Sequence, residues 1–249
     1  MKKPDWIDTR LNEKEMKFLW NAVSTEQKKD TSNISKIIED KDNWFYENVL
    51  KKHIERLFYD DWNNYRKYVV NKEEPSPKFE MNRFWVNYQR QYEFNPLHFH
   101  SGLYSFVIFM KIPTHWKEQQ EMNKDKFRAS VASDFVFVWG SENMEQIGGL
   151  NPILTDISTE NLQLSLEDEG RMVFFPARLQ HMVYPFYECE EERVTISGNI
   201  DLVFTEEQKV VELSGDVYKE KENTLKMMEK TVKFMKEDLK QMKQNRKSD

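Results

Sequence analysis

The stretch Arg193-Val-Thr-Ile-Ser-Gly-Asn-Ile-Asp-Leu-Val-Phe204 decides the fold class. Polar Arg193, Thr195, Ser197 and Asn199 alternate with apolar Val194, Ile196 and Ile200. Side chains of an extended chain change face at every residue, so this period of two marks a strand with one polar and one apolar face. Taken alone, the polar face fits the solvent side of an antiparallel sheet as well as the lining of a site.

Five earlier stretches also read as strands. They are Phe84–Gln89, Leu103–Ile112 (ended by Pro113), Phe135–Trp139 (followed by Gly140-Ser141), Met172–Phe175 (ended by Pro176) and His181–Tyr184 (ended by Pro185). Many short strands separated by turn residues predict a two-sheet jelly roll or barrel. Six of the seven glycines lie between Gly102 and Gly198, whereas neither glycine nor proline occurs between Asp5 and Glu74 or after Gly215. The turn-rich middle is therefore β structure and both ends are helical.

At the amino end, Asn12 is the expected cap of a helix with Met16, Leu19, Trp20 and Val23 on one face. A longer helical reach runs from about Asp42 to Val70, and the prolines of Asn71–Pro77 make a connector. At the other end, Leu225, Met228, Val232, Met235, Leu239 and Met242 are spaced as the a and d positions of a coiled coil. That helix either packs along the amino-terminal helices or joins two copies as a homodimer, and its lysines form a solvated face. The predicted organisation is a mainly β core with α flanks: an N-terminal helical region over 1–80, the β core over 81–205 and a C-terminal amphipathic helix over 206–249.

Composition narrows the function classes. The chain has 249 residues, is 32% charged and carries a net charge of -6, which argues against bulk nucleic-acid binding. Cys189 is the single cysteine, so no intrachain disulfide can form and a reducing compartment is expected. Met1-Lys-Lys-Pro-Asp-Trp6 is not followed by an apolar run, and no stretch is apolar for long enough to span a membrane. The expected location is cytoplasmic.

Chemistry concentrates in Phe94-Asn-Pro-Leu-His-Phe-His-Ser-Gly102, then His181, then Arg193. His98 and His100 are two apart and project from the same side of an extended chain. His181, from a distant strand, closes a triangular face on a metal and leaves positions open for a chelating co-substrate and dioxygen. Arg193 stands one short hairpin after His181, where a carboxylate would be held. A lone His-X-His pair or a lone His181 is more often structural than ligating. The pair, the distal histidine and the following arginine together point to a metal-dependent oxygenase. His53, on a helix, and His115, in a loop, read as incidental.

The pieces Trp85-Val-Asn-Tyr88, Phe94–His100, Phe174-Phe-Pro-Ala-Arg-Leu-Gln-His181 and Glu192–Ile200 resemble the 2-oxoglutarate and iron(II)-dependent oxygenases. The resemblance covers roughly residues 84 to 202 and is nearest to a subfamily common in bacteria and in viruses of marine bacteria. A virus-encoded copy would act in the host cytoplasm. It implies the double-stranded β-helix, a jelly roll with the metal near its open end. It also implies Fe(II), 2-oxoglutarate as co-substrate, and O2. By that resemblance His98 and His181 are iron ligands, and His100 stands where most of the wider superfamily has Asp or Glu. Either three histidines hold the iron or a carboxylate from elsewhere joins them. Arg193, helped by Thr195, pairs with the distal carboxylate of 2-oxoglutarate, and Asn87 hydrogen-bonds the bound co-substrate. The implied reaction hydroxylates a small-molecule or peptide substrate and releases succinate and carbon dioxide.

Two readings from other classes stay open at this point. One is a cupin-like three-histidine metalloenzyme without 2-oxoglutarate, in which Arg193 grips the substrate itself. The other is a non-catalytic jelly-roll binding module. Trp85, Tyr88 and Tyr104, expected near the site, would suit a flat or apolar substrate group.

Overall fold

A computed structural model describes residues 3–24, 28–29, 35–66, 78–125, 131–140 and 157–203. Two units divide the chain: residues 1–72 with 79–202, and residues 73–78 with 203–249. The second unit, the expected connector at 71–77 and the expected carboxyl-terminal helix lie almost wholly outside the described residues.

Eleven strands and three α-helices are described, in the order β1 (Ile7–Arg10), α1 (Glu13–Ser24), β2 (Lys28–Lys29), β3 (Ser35–Ile37), α2 (Lys51–Arg66), β4 (Lys78–Gln89), β5 (Asn95–His98), β6 (Tyr104–Lys111), α3 (Trp116–Asn123), β7 (Phe135–Gly140), β8 (Ile157–Leu162), β9 (Arg171–Pro176), β10 (Gln180–Val183) and β11 (Arg193–Val203). They form two sheets with strand orders β1-β9-β6-β11-β4-β3-β2 and β5-β10-β7-β8. From β4 to β11, most consecutive strands change sheet. The large sheet pairs first with last (β4 with β11) and third with sixth (β6 with β9). The small sheet pairs second with seventh (β5 with β10) and fourth with fifth (β7 with β8). This nested antiparallel pairing of eight strands is the double-stranded β-helix, a jelly roll.

Period-two alternation assigns the two faces of the large sheet. Phe84, Val86, Phe106, Ile108, Phe174 and Ile196 pack with Leu19 and Val23 of α1, with Val49 and Leu50 just before α2, and with Ile54 in its first turn. Val107, Phe109, Val173 and Phe175 face Phe135 and Phe137 of the small sheet. The sheet is thus buried on both sides, and each fully buried Phe contributes roughly 1.5–3 kcal/mol. Gly198 on β11 lies where a Cβ would come within 2.5 Å of the Phe106 ring. Glycine there lets that ring pack against the strand.

Helix α1 begins as the sequence predicts. Asn12 Oδ1 accepts from the Glu15 backbone N–H at 3.0 Å, and Glu15 Oε2 accepts from the Asn12 N–H at 2.9 Å. This reciprocal box satisfies two donors that a helix start leaves without partners. Trp20 departs from the predicted apolar face and is 40% exposed. Within the predicted helix at 42–70, Asp42 and Asn43 take positive φ (59° and 51°), and a π turn at Tyr46–Leu50 comes before α2. The Asp40 carboxylate accepts from the N–H groups of Phe45 and Tyr46 just before and at the start of that turn.

The expectation of a wholly helical amino-terminal region needs correction. Ile7–Arg10 extends the large sheet by pairing with β9, and Ser35–Ile37 by pairing with β4. Both segments are too short to show a period, and hydrogen bonding to an existing edge determines them. Strands β5 and β8 and helix α3 are likewise absent from the sequence reading. Pro96 inside β5, and polar Ser158-Thr-Glu-Asn161 in β8, hid them.

Candidate metal centre

The site lies between the sheets and is built from β4, β5, β10 and β11. On the small sheet, His181 of β10 is register partner to His98 of edge strand β5. His100 follows β5, its N–H donating to the Ala177 carbonyl at 2.9 Å. One ligand atom from each of His98, His100 and His181 lies within 4.8 Å of the others. Their ring centroids are 4.2 Å apart for His98–His181, 5.1 Å for His98–His100 and 5.0 Å for His100–His181.

Two of the rings are oriented through Nδ1. His98 Nδ1 is 2.7 Å from the Pro96 carbonyl and His181 Nδ1 is 3.1 Å from the Leu179 carbonyl. A carbonyl accepts only, so in each ring Nδ1 carries the proton and Nε2 keeps its lone pair, which in His98 lies 3.4 Å from the Asn95 Nδ2 donor. The His181 ring also stacks on Phe135 at 5.3 Å and meets Phe175 edge-on at 5.1 Å. Burial pushes its pKa down to about 3, and that of His100 to about 4, with the neighbouring His98 adding to both. Both imidazoles are therefore neutral at physiological pH, the state a metal requires. Among the described residues no carboxylate joins the cluster.

The polar face of β11 points inward. Thr195 and Ser197 are register partners of Phe109 and Val107, which belong to the core between the sheets. Ser105 Oγ donates to Asn199 Oδ1 at 3.0 Å on the same face. The solvent reading of this face is excluded: Arg193 is 1% exposed and Asn199 4%.

Arg193 Nη1 donates to Gln89 Oε1 at 3.2 Å, and Nη2 donates to the Ser133 carbonyl at 2.8 Å and to the Ser133 hydroxyl. The guanidinium lies over Phe186, 5.2 Å from the ring centroid. Its Nε is buried without a hydrogen-bond partner. Burial pulls its pKa down to about 10, so it remains a cation at neutral pH, supported electrostatically by Asp134. Asp134 Oδ2 accepts from Asn161 at 3.1 Å, while Oδ1 is buried without a partner. Burial raises the Asp134 pKa to about 6 despite that hydrogen bond and the Arg193 charge.

Strand β4 connects the two halves. Phe84 and Val86 face the helices, so Trp85, Asn87 and Gln89 share the inner face. The Trp85 ring is 5.8 Å from the His100 ring, and Gln89 reaches Arg193. Asn87 is between them, and Thr195 follows Arg193 on the inner face of β11.

The expected aromatic trio separates. Trp85 is at the site, but Tyr104 is buried in the core beneath the helices and Tyr88 packs against that core. His53 is buried beside Phe174, with centroids 6.1 Å apart, and His115 caps α3 by accepting from the Lys117 N–H. The sequence reading missed Gln89, Ser133, Asp134 and Phe186. Gln89 was within reach, since it shares alternation with Asn87. Ser133 and Asp134 meet Arg193 only through the tertiary fold.

A family model described as "Putative 2OG-Fe(II) oxygenase" matches residues 83–199. No curated protein matches the chain. Among solved structures, a Pseudomonas putida prolyl-4-hydroxylase is similar at TM-score 0.43 and 11% identity, over 81% of this chain and 94% of that one. A Burkholderia pseudomallei oxidoreductase of the 2OG-Fe(II) oxygenase family is similar at TM-score 0.43 and 7% identity, over 79% and 84%. The non-heme alpha ketoglutarate dependent epimerase SnoN from nogalamycin biosynthesis is similar at TM-score 0.43 and 14% identity, over 79% and 76%. The fold assignment rests on the strand order, and the matched segment runs from β4, just before Trp85, to Asn199, taking in the histidine triad and Arg193. That segment, a little under half of the chain, is what is similar to the 2OG-Fe(II) oxygenase family.

Proposed function

We propose that this protein is an Fe(II)- and 2-oxoglutarate-dependent dioxygenase that hydroxylates a small-molecule or peptide substrate and releases succinate and carbon dioxide. The observation that carries the reading is the triad of His98, His100 and His181, drawn from two strands and the loop after one of them. Two of the rings keep Nε2 lone pairs for a metal by giving their Nδ1 protons to backbone carbonyls. Neutral imidazoles suit a first-row divalent ion, and backbone partners on Nδ1 fix ring orientation.

The buried Arg193 supports the co-substrate. A guanidinium desolvated with one N–H unpartnered favours an anion, and a carboxylate matches its planar fork. In this reading His98, His100 and His181 hold iron, Arg193 with Thr195 holds the distal carboxylate of 2-oxoglutarate, and Asn87 hydrogen-bonds its near end. When bound, the iron and 2-oxoglutarate supply the oxygen-activating chemistry. The protein's part is to orient both and to keep water away, through Phe135, Phe137 and Phe175 around His181.

The all-histidine triad also suits a cupin-type enzyme that uses no 2-oxoglutarate. Anaerobic titration with iron(II) and then 2-oxoglutarate separates the two. A weak visible charge-transfer band on adding 2-oxoglutarate is the expected result. Iron bound without a new band would favour the cupin chemistry, and no iron bound would leave a binding module.

A further inference from the structure

Arg193 shares its buried setting with a carboxyl group. The carbonyl that accepts from its Nη2 belongs to the peptide joining Ser133 to Asp134. Bond geometry therefore keeps the Asp134 Cα within roughly 6 Å of the guanidinium. Asp134 is 0% exposed. Its Oδ2 accepts from Asn161 of β8, and Gln120 of α3 is near the carboxyl. Tyr184 donates its N–H to the Asp134 carbonyl at 2.9 Å, and Arg193 of β11 is the charged group acting on Asp134 among the described residues. The two make no direct hydrogen bond: Arg193 Nε and Asp134 Oδ1 are both buried without partners. One guanidinium and one carboxylate leave this region neutral. A second carboxylate arriving at Arg193 makes it one charge negative, and a buried carboxyl beside another holds its proton more tightly. Burial has already raised the Asp134 pKa to about 6, so a further anion brings its protonation close to neutral pH.

We propose that Asp134 couples co-substrate binding to protonation: as the distal carboxylate of 2-oxoglutarate docks on Arg193, Asp134 Oδ1 takes up one proton from solvent. The inference rests on the co-substrate reading of Arg193. No bond of 2-oxoglutarate changes. The one bond formed is the Asp134 O–H, and the proton cancels the charge that the carboxylate brings. Carboxyl groups ionise at about pH 4, so above pH 6 the proton is not one that 2-oxoglutarate carries in. Asp134 acts through Arg193 and is a positioning residue. Its neutral form frees the guanidinium from an opposing charge and leaves it to the co-substrate.

Isothermal titration calorimetry tests this on the full chain, loaded anaerobically with iron(II). Adding 2-oxoglutarate in PIPES and in Tris, buffers of different ionisation heat, counts the protons taken up. Wild type should take up about 0.4 of a proton at pH 7 and bind about four- to tenfold more tightly at pH 6 than at pH 7.5. Asp134→Asn keeps the shape but cannot titrate. It should lose that uptake and bind with nearly the same affinity at both pH values. Taking the difference from wild type removes any proton released at the histidines. If that variant folds poorly, Asn161→Ala serves instead, because it removes a hydrogen bond that favours the ionised carboxyl. It should move the steep part of the affinity profile to higher pH. Wild type without uptake, uptake undiminished in Asp134→Asn, or a profile unmoved in Asn161→Ala would overturn the proposal. Uptake with no visible charge-transfer band would remove the oxygenase reading and leave the Asp134 linkage standing. A band without uptake would do the reverse, and no binding of 2-oxoglutarate would remove both.

Discussion

Ser133 receives Arg193 twice, its carbonyl and its hydroxyl both accepting from the same guanidinium nitrogen. Ser133 has φ 71°, a conformation unusual for a residue with a side chain, and its N–H donates to the Pro185 carbonyl. The backbone turn before β7 thus fixes one edge of the guanidinium and leaves Nε unpartnered.

Arg193→Ala should therefore raise the 2-oxoglutarate requirement by about 10- to 100-fold, the value of hydrogen bonds to a charged group. Iron affinity should change little, because no histidine of the triad is bonded to Arg193. Equilibrium titrations of each ligand check the split, and an unchanged 2-oxoglutarate requirement would remove Arg193 from the role.

His53 gives an acid-stability prediction away from the site. Burial beneath the large sheet lowers its pKa from 6.5 to about 4. Below pH 6.5 the unfolded chain takes a proton that the folded one refuses, so stability is lost as pH falls from about 6.5 to 4. The full shift corresponds to about 3 kcal/mol. Asp134 acts oppositely in part of this window, since its raised pKa of about 6 makes its ionised form the costly one. The test is thus a difference: urea melts at pH 7 and pH 4 should show wild type losing about 3 kcal/mol more than His53→Gln. Equal losses would contradict the burial argument.

Gly198 carries a packing prediction. A Cβ there would lie 2.5 and 2.6 Å from Phe106 ring atoms and 2.7 Å from the Arg83 carbonyl. Gly198→Ala should cost about 1–3 kcal/mol by overpacking. Adding Phe106→Leu should recover part of that loss if the ring is the obstacle. No recovery would assign the clash to the β4 backbone instead.

What could be read from the sequence was what local periodicity encodes. Alternation from Arg193 to Asn199 specified a two-faced strand, and the His98–His100 spacing put two ligands together. Which face of β11 is inside was not local information; it follows from pairing with β6, where Thr195 meets Phe109. Alternation could have separated Tyr88 from Trp85, because Tyr88 shares parity with the core residues Phe84 and Val86. Ser133 was invisible for another reason: its bond to Arg193 spans 60 residues.

His100 provides the sharpest test of the metal centre, because two histidines and a carboxylate are a common iron triad and no carboxylate is present among the described residues of the cluster. If it ligates, His100→Ala should weaken iron binding by about tenfold or more, or at least about 1.4 kcal/mol. His100→Asp should retain more affinity than His100→Ala, since it restores the two-histidine, one-carboxylate set and adds a negative charge beside the ion. The Trp85 ring, 5.8 Å away, would report local disturbance through its fluorescence. Iron binding equal to wild type in His100→Ala, with the Trp85 signal unaltered, would reduce the protein ligands to His98 and His181 and require a donor from outside the triad.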